Sequence, residues 1–405
     1  MLAGMCRNVT DERSTVAFGL ETGRDSVRRN VNRPHEKGPV QSEQIMEIWQ
    51  ETACLPKVLT TAVGNLPHLQ AAEGVDLVLA SLRDAPHVPQ FSLMDPREQM
   101  WIQFTEGLPR FEVDIDARQY RFDTSGDTTS DLEAFYAGYM EAMEGGALNR
   151  FAIGPDYGSG IHLFLERMRN GDRRPPFVKL QVTGPLSFAT TVTDEQGKPI
   201  FYHPFFRDVA VKGMGLKAMW LVETFRSYAE NVIVFFDEPS LSAYGSSAFL
   251  GVSEMDVIES LDEVIAMVLQ QGGIPGVHCC GNTDWGLLMK TSTRIINFDA
   301  VDYMESLTIY AKELSGFLGR GGVLAWGAVP NTDRIADETP ESVRERLMRG
   351  IESLEAAGVD GELLRHKAIV TPACGCGGLE PKSTARVYEV LSGIEALGDS
   401  LLEDR

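Results

Sequence analysis

From about residue 57 onward the sequence repeats one grammar: a short apolar run ends in Gly, Pro or a chemically useful residue, and a stretch with helical periodicity follows. Chains ordered this way bury parallel strands beneath helices, as a doubly wound sheet or a closed barrel. The apolar runs fall at 58–63, 177–182, 232–236, 276–278, 295–298, 323–326 and 368–370, with 111–115 as an eighth candidate. Between them lie stripes at helical spacing, such as Val257, Leu261, Ile265 and Leu269, or Val343, Leu347, Ile351 and Leu354. A count of about eight strands favours the barrel, so the expected fold is α/β, a TIM (β/α)8 barrel.

The 405 residues suit one such barrel with insertions. Residues 1–44 are polar and rich in Arg, Asp, Glu and Asn without periodicity, and are expected to form a polar N-terminal extension, an arm or a disordered segment. The barrel domain is then 45–405. The segment 116–175 reads as an insertion that either covers the barrel mouth or forms a surface excursion. A net charge of −21 argues against bare nucleic acid and anionic membranes as partners. No apolar run is long enough to span a bilayer and no signal-peptide core opens the chain, so a cytoplasmic protein is expected. In that setting the sequon Asn8-Val9-Thr10 is a chance match. Neither a dinucleotide-binding Gly motif after the first strand nor a P-loop occurs.

A barrel brings the residues just after its strands to one mouth. Here they are Gly64-Asn65, Thr183-Gly184-Pro185, Asp237-Glu238-Pro239, His278-Cys279-Cys280, Asp299, Gly327 and Cys374-Gly375-Cys376. Zinc favours imidazole and thiolate donors, and a catalytic site leaves one position open. His278, Cys280 and Cys374 supply three such donors, with the His-x-Cys step placing two on the same side of an extended strand end. A site of this kind holds a substrate thiol as thiolate, which points to alkyl transfer to sulfur. Two other readings compete: cysteines are commonly small buried hydrophobes, and paired cysteines can be redox-active. Three donors together at strand ends speak against the first, and the spacing Cys374-x-Cys376 is wrong for a C-x-x-C motif. Alternation selects Cys280 over Cys279. Asp237 and Glu238 follow an apolar strand at a water-poor rim, where a carboxylate anchors an ammonium, acts as a base, or caps the next turn. His68, alone after a turn, stays outside the site.

Four stretches, Thr60-Thr61-Ala62-Val63-Gly64-Asn65-Leu66-Pro67, Phe236-Asp237-Glu238-Pro239, His278-Cys279-Cys280 and Pro372-Ala373-Cys374-Gly375, resemble in order the signatures of the catalytic barrel of cobalamin-independent methionine synthase. The resemblance spans 58–376 and is to the short core form, within the TIM-barrel superfamily that includes uroporphyrinogen decarboxylase. It implies zinc on His278, Cys280 and Cys374, with Asp299 as the match for a fourth, carboxylate ligand that is usually Glu. It also implies that Asp237 holds the amino group of homocysteine, and that Gly64, Asn65 and Glu238 adjoin the substrate. Asn65 stands where the family commonly has Ser, and a second substrate glutamate near 94–100 has only Glu98 and Glu106 in its vicinity.

The expected activity is therefore methyl transfer to a zinc-activated small-molecule thiol, homocysteine giving methionine being the leading case. The methyl donor is methylcobalamin or methyltetrahydrofolate. The missing folate-binding half that longer relatives carry makes a methylated corrinoid, delivered by a separate corrinoid protein, the more natural donor. The alternatives are a decarboxylase resembling uroporphyrinogen decarboxylase, which wants an arginine-rich pocket, and a non-catalytic barrel that binds zinc or a corrinoid.

Overall fold

The computed structural model describes residues 49–403, so the extension 1–44, its sequon and the domain boundary at 45 lie outside the described residues. Ten strands are present among them: β1 (Val58–Thr60), β2 (Phe111–Asp114), β3 (Gln119–Phe122), β4 (Phe177–Thr183), β5 (Thr193–Asp194), β6 (Asn231–Asp237), β7 (Ile274–Cys279), β8 (Ile295–Asp299), β9 (Val323–Val329) and β10 (Ala368–Pro372). Seven form one parallel sheet in the order β1-β10-β9-β8-β7-β6-β4, and each corresponds to an apolar run read from the sequence. Crossover helices separate them, as parallel pairing requires. The sheet curls into a half-barrel compatible with a TIM-like fold.

Segment 84–91 runs between the two edges of this sheet. On one side Val88 N donates to Lys179 O (2.9 Å) and Lys179 N to Pro86 O (3.0 Å). On the other, Gln90 N donates to Gly64 O (2.8 Å) and Leu66 N to Gln90 O (2.9 Å). Pro86 and Pro89 have no N–H, so the segment pairs through isolated bridges at His87 and Gln90. The candidate strand at 111–115 belongs elsewhere. Phe111–Asp114 pairs antiparallel with Gln119–Phe122 in a separate three-stranded sheet with β5. Only alternate residues of β2 are even partly covered, whereas the long central strands are buried almost throughout. Its apolar residues serve this small sheet instead, Phe111 packing edge-to-face on Phe122 at 4.9 Å.

Alternation along the strands divides the interior in two. Leu59, Phe177, Ile233, Phe235, Ile274, Ile295, Val323, Ala325 and Ile369 form the small cluster on one face. The opposite face, with Val178, Leu180, Val234, Phe236, Val277, Ile296 and Phe298, packs beneath the helices in the main core. The expected helical stripes are real. Glu254–Gln270 opens with a Ser253/Asp256 capping box and buries Val257, Leu261 and Ile265; Pro340–Ala356 opens with Thr339/Ser342 and buries Val343, Leu347, Ile351 and Leu354. Within the insertion, Ser159–Asn170 packs on Ala71–Ser81, and Thr129–Met143 on Pro204–Phe225. No helix among the described residues is long and apolar enough to cross a membrane.

Candidate metal centre

The small interior cluster turns polar toward the C-terminal ends of the strands. One row of the sheet's register holds Thr183, Asp237, His278 and Asn297 as neighbours on β4, β6, β7 and β8. The rim of the parallel strands thus places a carboxylate, an imidazole and an amide side by side. Cys280 follows His278 by two positions and shares its side of the chain. Cys374 arrives just beyond β10, from the loop 374–378 that folds onto Asn65: Cys376 N donates to Asn65 O at 2.8 Å. A Cβ at Gly377 would stand 2.2 Å from the Asn65 amide nitrogen, so that approach requires glycine.

The donor atoms of His278, Cys280 and Cys374 all lie within 4.8 Å of one another, the one such group of three among the described residues. The ring of His278 is oriented by a chain of hydrogen bonds. Thr371 Oγ1 donates to Pro372 O (2.9 Å) and accepts from Asn297 Nδ2 (2.9 Å), which also donates to Ala325 O (2.8 Å). Asn297 Oδ1 is left to accept from His278 Nδ1 at 2.6 Å. Nδ1 therefore carries the proton, and Nε2 presents a lone pair, buried and without a hydrogen-bond partner. An orphaned imidazole nitrogen facing two thiols fits a borderline-soft divalent ion, so the three residues can hold a metal.

The thiols are electrostatically unequal. The neighbouring Cys374 and His278 side chains hold the Cys280 thiol down to about 4, while the proximity of Cys280, reinforced by burial, raises Cys374. Burial alone would lower His278, but the neighbouring Cys280 and the Asp237 charge outweigh it and raise the imidazole. Cys279 and Cys376 are turned into the core, where burial pushes each up to about 12. The structure thus brings Cys280, and not Cys279, into the group with His278 and Cys374.

Asp237 is half-buried, its Oδ1 is buried without a hydrogen-bond partner, and desolvation raises its carboxyl against the opposing pull of Lys179 and His278. It lines a cavity of about 360 Å³ with His278, Cys280, Cys374 and Asn65. The outer wall comes from Ser92 and Glu98–Trp101, and Gln90 stands at the back. A larger cavity of about 640 Å³, lined in part by Asp262, Lys290, Arg294 and Arg320, shares none of these residues.

Several expectations need correction. Asp299 does not join the donor group: its Oδ1 accepts from Val301 N (2.8 Å) and Asp302 N (3.0 Å), because the chain turns at once after β8 and the short carboxylate caps that turn. Glu238 is fully buried away from the cavity, accepting from Leu186 N (3.0 Å) and Ser187 N (2.7 Å) at the start of helix Pro185–Thr191. Gly64 does not line the cavity but makes room for Gln181, whose amide nitrogen is 1.2 Å from where a Cβ would stand. No residue of the insertion 116–175 lines the cavity, so it does not cover this mouth; Ser159 instead braces Glu98 from behind. The carboxylate of Glu98 is fully engaged, by Phe91 N, Ser159 N and Ser159 Oγ, and Glu106 accepts from Gly154 N at 2.5 Å, outside the cavity.

Asn297, Gln90, Ser92 and Trp101 were missed from the sequence. Asn297 had a readable signal, since it lies in register beside His278 and two residues short of a strand end.

Fold and site together define an α/β protein with a curled parallel sheet whose strand ends carry a group able to hold a metal ion. The sequence matches no protein-family model and no curated protein. Among solved structures it is similar to the tandem GH20 catalytic modules of the pneumococcal exo-beta-D-N-acetylglucosaminidase StrH, with a TM-score of 0.40, 11% identity and coverage of 87% of this chain and 86% of that one. A second structure, from work on inhibition of the pneumococcal virulence factor StrH, gives a TM-score of 0.40 at 10% identity over 87% of this chain and 86% of that one. At that score the likeness carries no argument about function.

Proposed function

We propose that this chain is a zinc-dependent S-methyltransferase of the cobalamin-independent methionine synthase type, built on a (β/α)8 barrel in which segment 84–91 takes the second strand position. The observation that carries the reading is the orphaned, oriented Nε2 of His278 facing the two thiols beside an unpartnered Asp237. His278, Cys280 and Cys374 would hold the ion, and three protein donors leave one position open for substrate. Bound there, zinc would keep a substrate sulfur as thiolate near neutral pH.

Asp237 would anchor the ammonium of an amino-acid thiol, homocysteine in the leading case, through its free Oδ1. Met100 and Trp101 form a partly apolar wall that excludes water, and Asn65 is held in place by Ser92 Oγ at 3.0 Å. The methyl carbon forms its new bond to sulfur as its bond to the donor breaks, the electron pair leaving with the donor. We infer methylcobalamin, free or on a corrinoid protein, or methyltetrahydrofolate as that donor. The free thiols at Cys280 and Cys374 suit the reducing cytoplasm.

Among the described residues no Lys or Arg lines the cavity, which speaks against a polycarboxylate substrate of the uroporphyrinogen decarboxylase kind. The experiment mixes zinc-loaded protein with methylcobalamin and homocysteine, following loss of the methylcobalamin absorbance and appearance of methionine by mass spectrometry. Turnover supports the reading. Stoichiometric zinc without turnover on any thiol or corrinoid offered favours a non-catalytic metal-binding barrel, and absence of zinc binding overturns the reading.

A further inference from the structure

Beneath the cavity a lysine is buried inside the sheet. Lys179, on β4, is fully covered, and its Nζ lies 4.6 Å from the centre of the Phe235 ring. It donates to Gln181 Oε1 at 2.8 Å. Gln181 Nε2 donates to Gln90 Oε1 at 2.8 Å, Gln90 Nε2 to Gln103 Oε1, and Gln103 Nε2 to Tyr157 O at 3.0 Å. The amides thus run in one direction, away from a lysine that can only donate. No carboxylate of the described residues lies within ion-pairing distance of Nζ, so the amide and the Phe235 face are its immediate partners. An ammonium in such a place is costly unless something nearby repays it. Burial lowers it to about 8, and the groups that oppose this are Asp237, at the end of the adjacent strand β6, and Cys374; through Gln181 the lysine is also linked to Gln90, which lines the cavity.

We propose that Lys179 is a positioning residue of the metal centre: the buried cation whose charge offsets Asp237 and the thiolates, so that the donor set can be fully deprotonated around a divalent ion without a net negative charge in the interior. The inference rests on the metal reading. Two thiolates and a carboxylate bring three negative charges, a divalent ion cancels two, and Lys179 cancels the third. The cation is placed below the donors and outside the cavity lining, where it cannot compete with substrate.

The test measures the affinity of the full chain for zinc, added as zinc sulfate, by competition with a chromophoric chelator. Lys179→Gln keeps a donor to Gln181 without the charge and is expected to weaken zinc about tenfold or more, whereas Lys179→Arg keeps the charge and restores most of the affinity. Gln103→Leu breaks the amide chain at its far end and is expected to leave zinc affinity within about twofold of wild type. Should Lys179→Gln fail to fold, Gln181→Glu carries the test, since a carboxylate placed against Nζ cancels its field and is expected to weaken zinc similarly. Unchanged affinity in folded Lys179→Gln or Gln181→Glu overturns the proposal, as does equal loss in Gln103→Leu. Failure of the wild type to bind zinc would overturn the metal reading itself, a distinguishable result.

Discussion

At the level of single residues, the donors divide by what each has beside it. Cys280 and Cys374 face each other and His278, whereas their sequence neighbours Cys279 and Cys376 are turned into the core, Cys279 Sγ donating to Gly281 O at 3.5 Å. On the proposed function, Cys374→Ser should therefore lose most bound zinc and with it the proposed methyl transfer while the protein stays folded, checked by metal analysis alongside circular dichroism; full zinc retention would sink the ligand assignment. Asn297→Leu removes the acceptor that fixes the His278 tautomer, and such outer partners are worth about 10- to 100-fold in metal affinity. Unaltered zinc affinity in that variant would show that the imidazole needs no orienting group. Glu238 makes a prediction of a different kind. Burial raises its carboxyl from 4.5 to about 7. The folded state thus binds the proton more tightly than the unfolded chain. The stability this brings is complete below about 4.5 and is lost as pH rises through about 7, amounting to about 3 kcal/mol across the window. Glu238→Gln, which cannot titrate, should be less stable overall because one of two backbone N–H groups loses its acceptor, yet its denaturation midpoint should decline less steeply over that range. A slope equal to wild type would assign the dependence to other groups.

At the level of elements, the seven strands of the main sheet were legible because buried parallel strands are continuous apolar runs. Segment 84–91 was not legible: its two prolines read as a loop, and His87 and Gln90 break any apolar run, although its backbone bonds to both sheet edges. The opposite error at 111–115 came from aromatic and branched residues that stabilise a small, half-exposed sheet. Lys179 and Gln181 were read as part of a strand without a role, since sequence alone does not show that the polar positions of one strand meet those of another across an interior. Glu238 and Asp299 were misplaced because a carboxylate after a strand has two uses, toward a ligand or toward the next backbone N–H groups, and only the turn's direction decides. Gly64 tests how closely the elements meet. A methyl there would collide with the Gln181 amide, so Gly64→Ala should cost about 1–3 kcal/mol and also weaken zinc, because the displaced Gln181 no longer holds Lys179. Wild-type stability by chemical denaturation would mean that the loop after β1 yields without disturbing the interior.

On the scale of the whole molecule, the candidate metal site joins parts of the chain that are far apart in sequence. His278 and Cys280 belong to β7, while Cys374 follows β10, and β8 and β9 lie between them in the sheet. An ion held by both ends ties the loop over Asn65 to the centre of the sheet, and because the unfolded chain presents no such cluster, its binding free energy adds to that of folding. The net charge of −21 acts in the same direction, since it raises the local concentration of divalent cations, and this contribution should fade as salt is added. With free zinc at about 100 times its Kd, native stability should rise by about 2.7 kcal/mol. The melting temperature should accordingly climb by several degrees, more at low than at high ionic strength. Calorimetry of the chelator-treated and zinc-loaded protein checks this, with Cys374→Ser as the control that should show no rise. An equal rise in that variant would place the stabilising ion elsewhere on an acidic surface. A rise confined to wild type would show that the three donors act as one site across the sheet, binding the last strand to the middle of the fold.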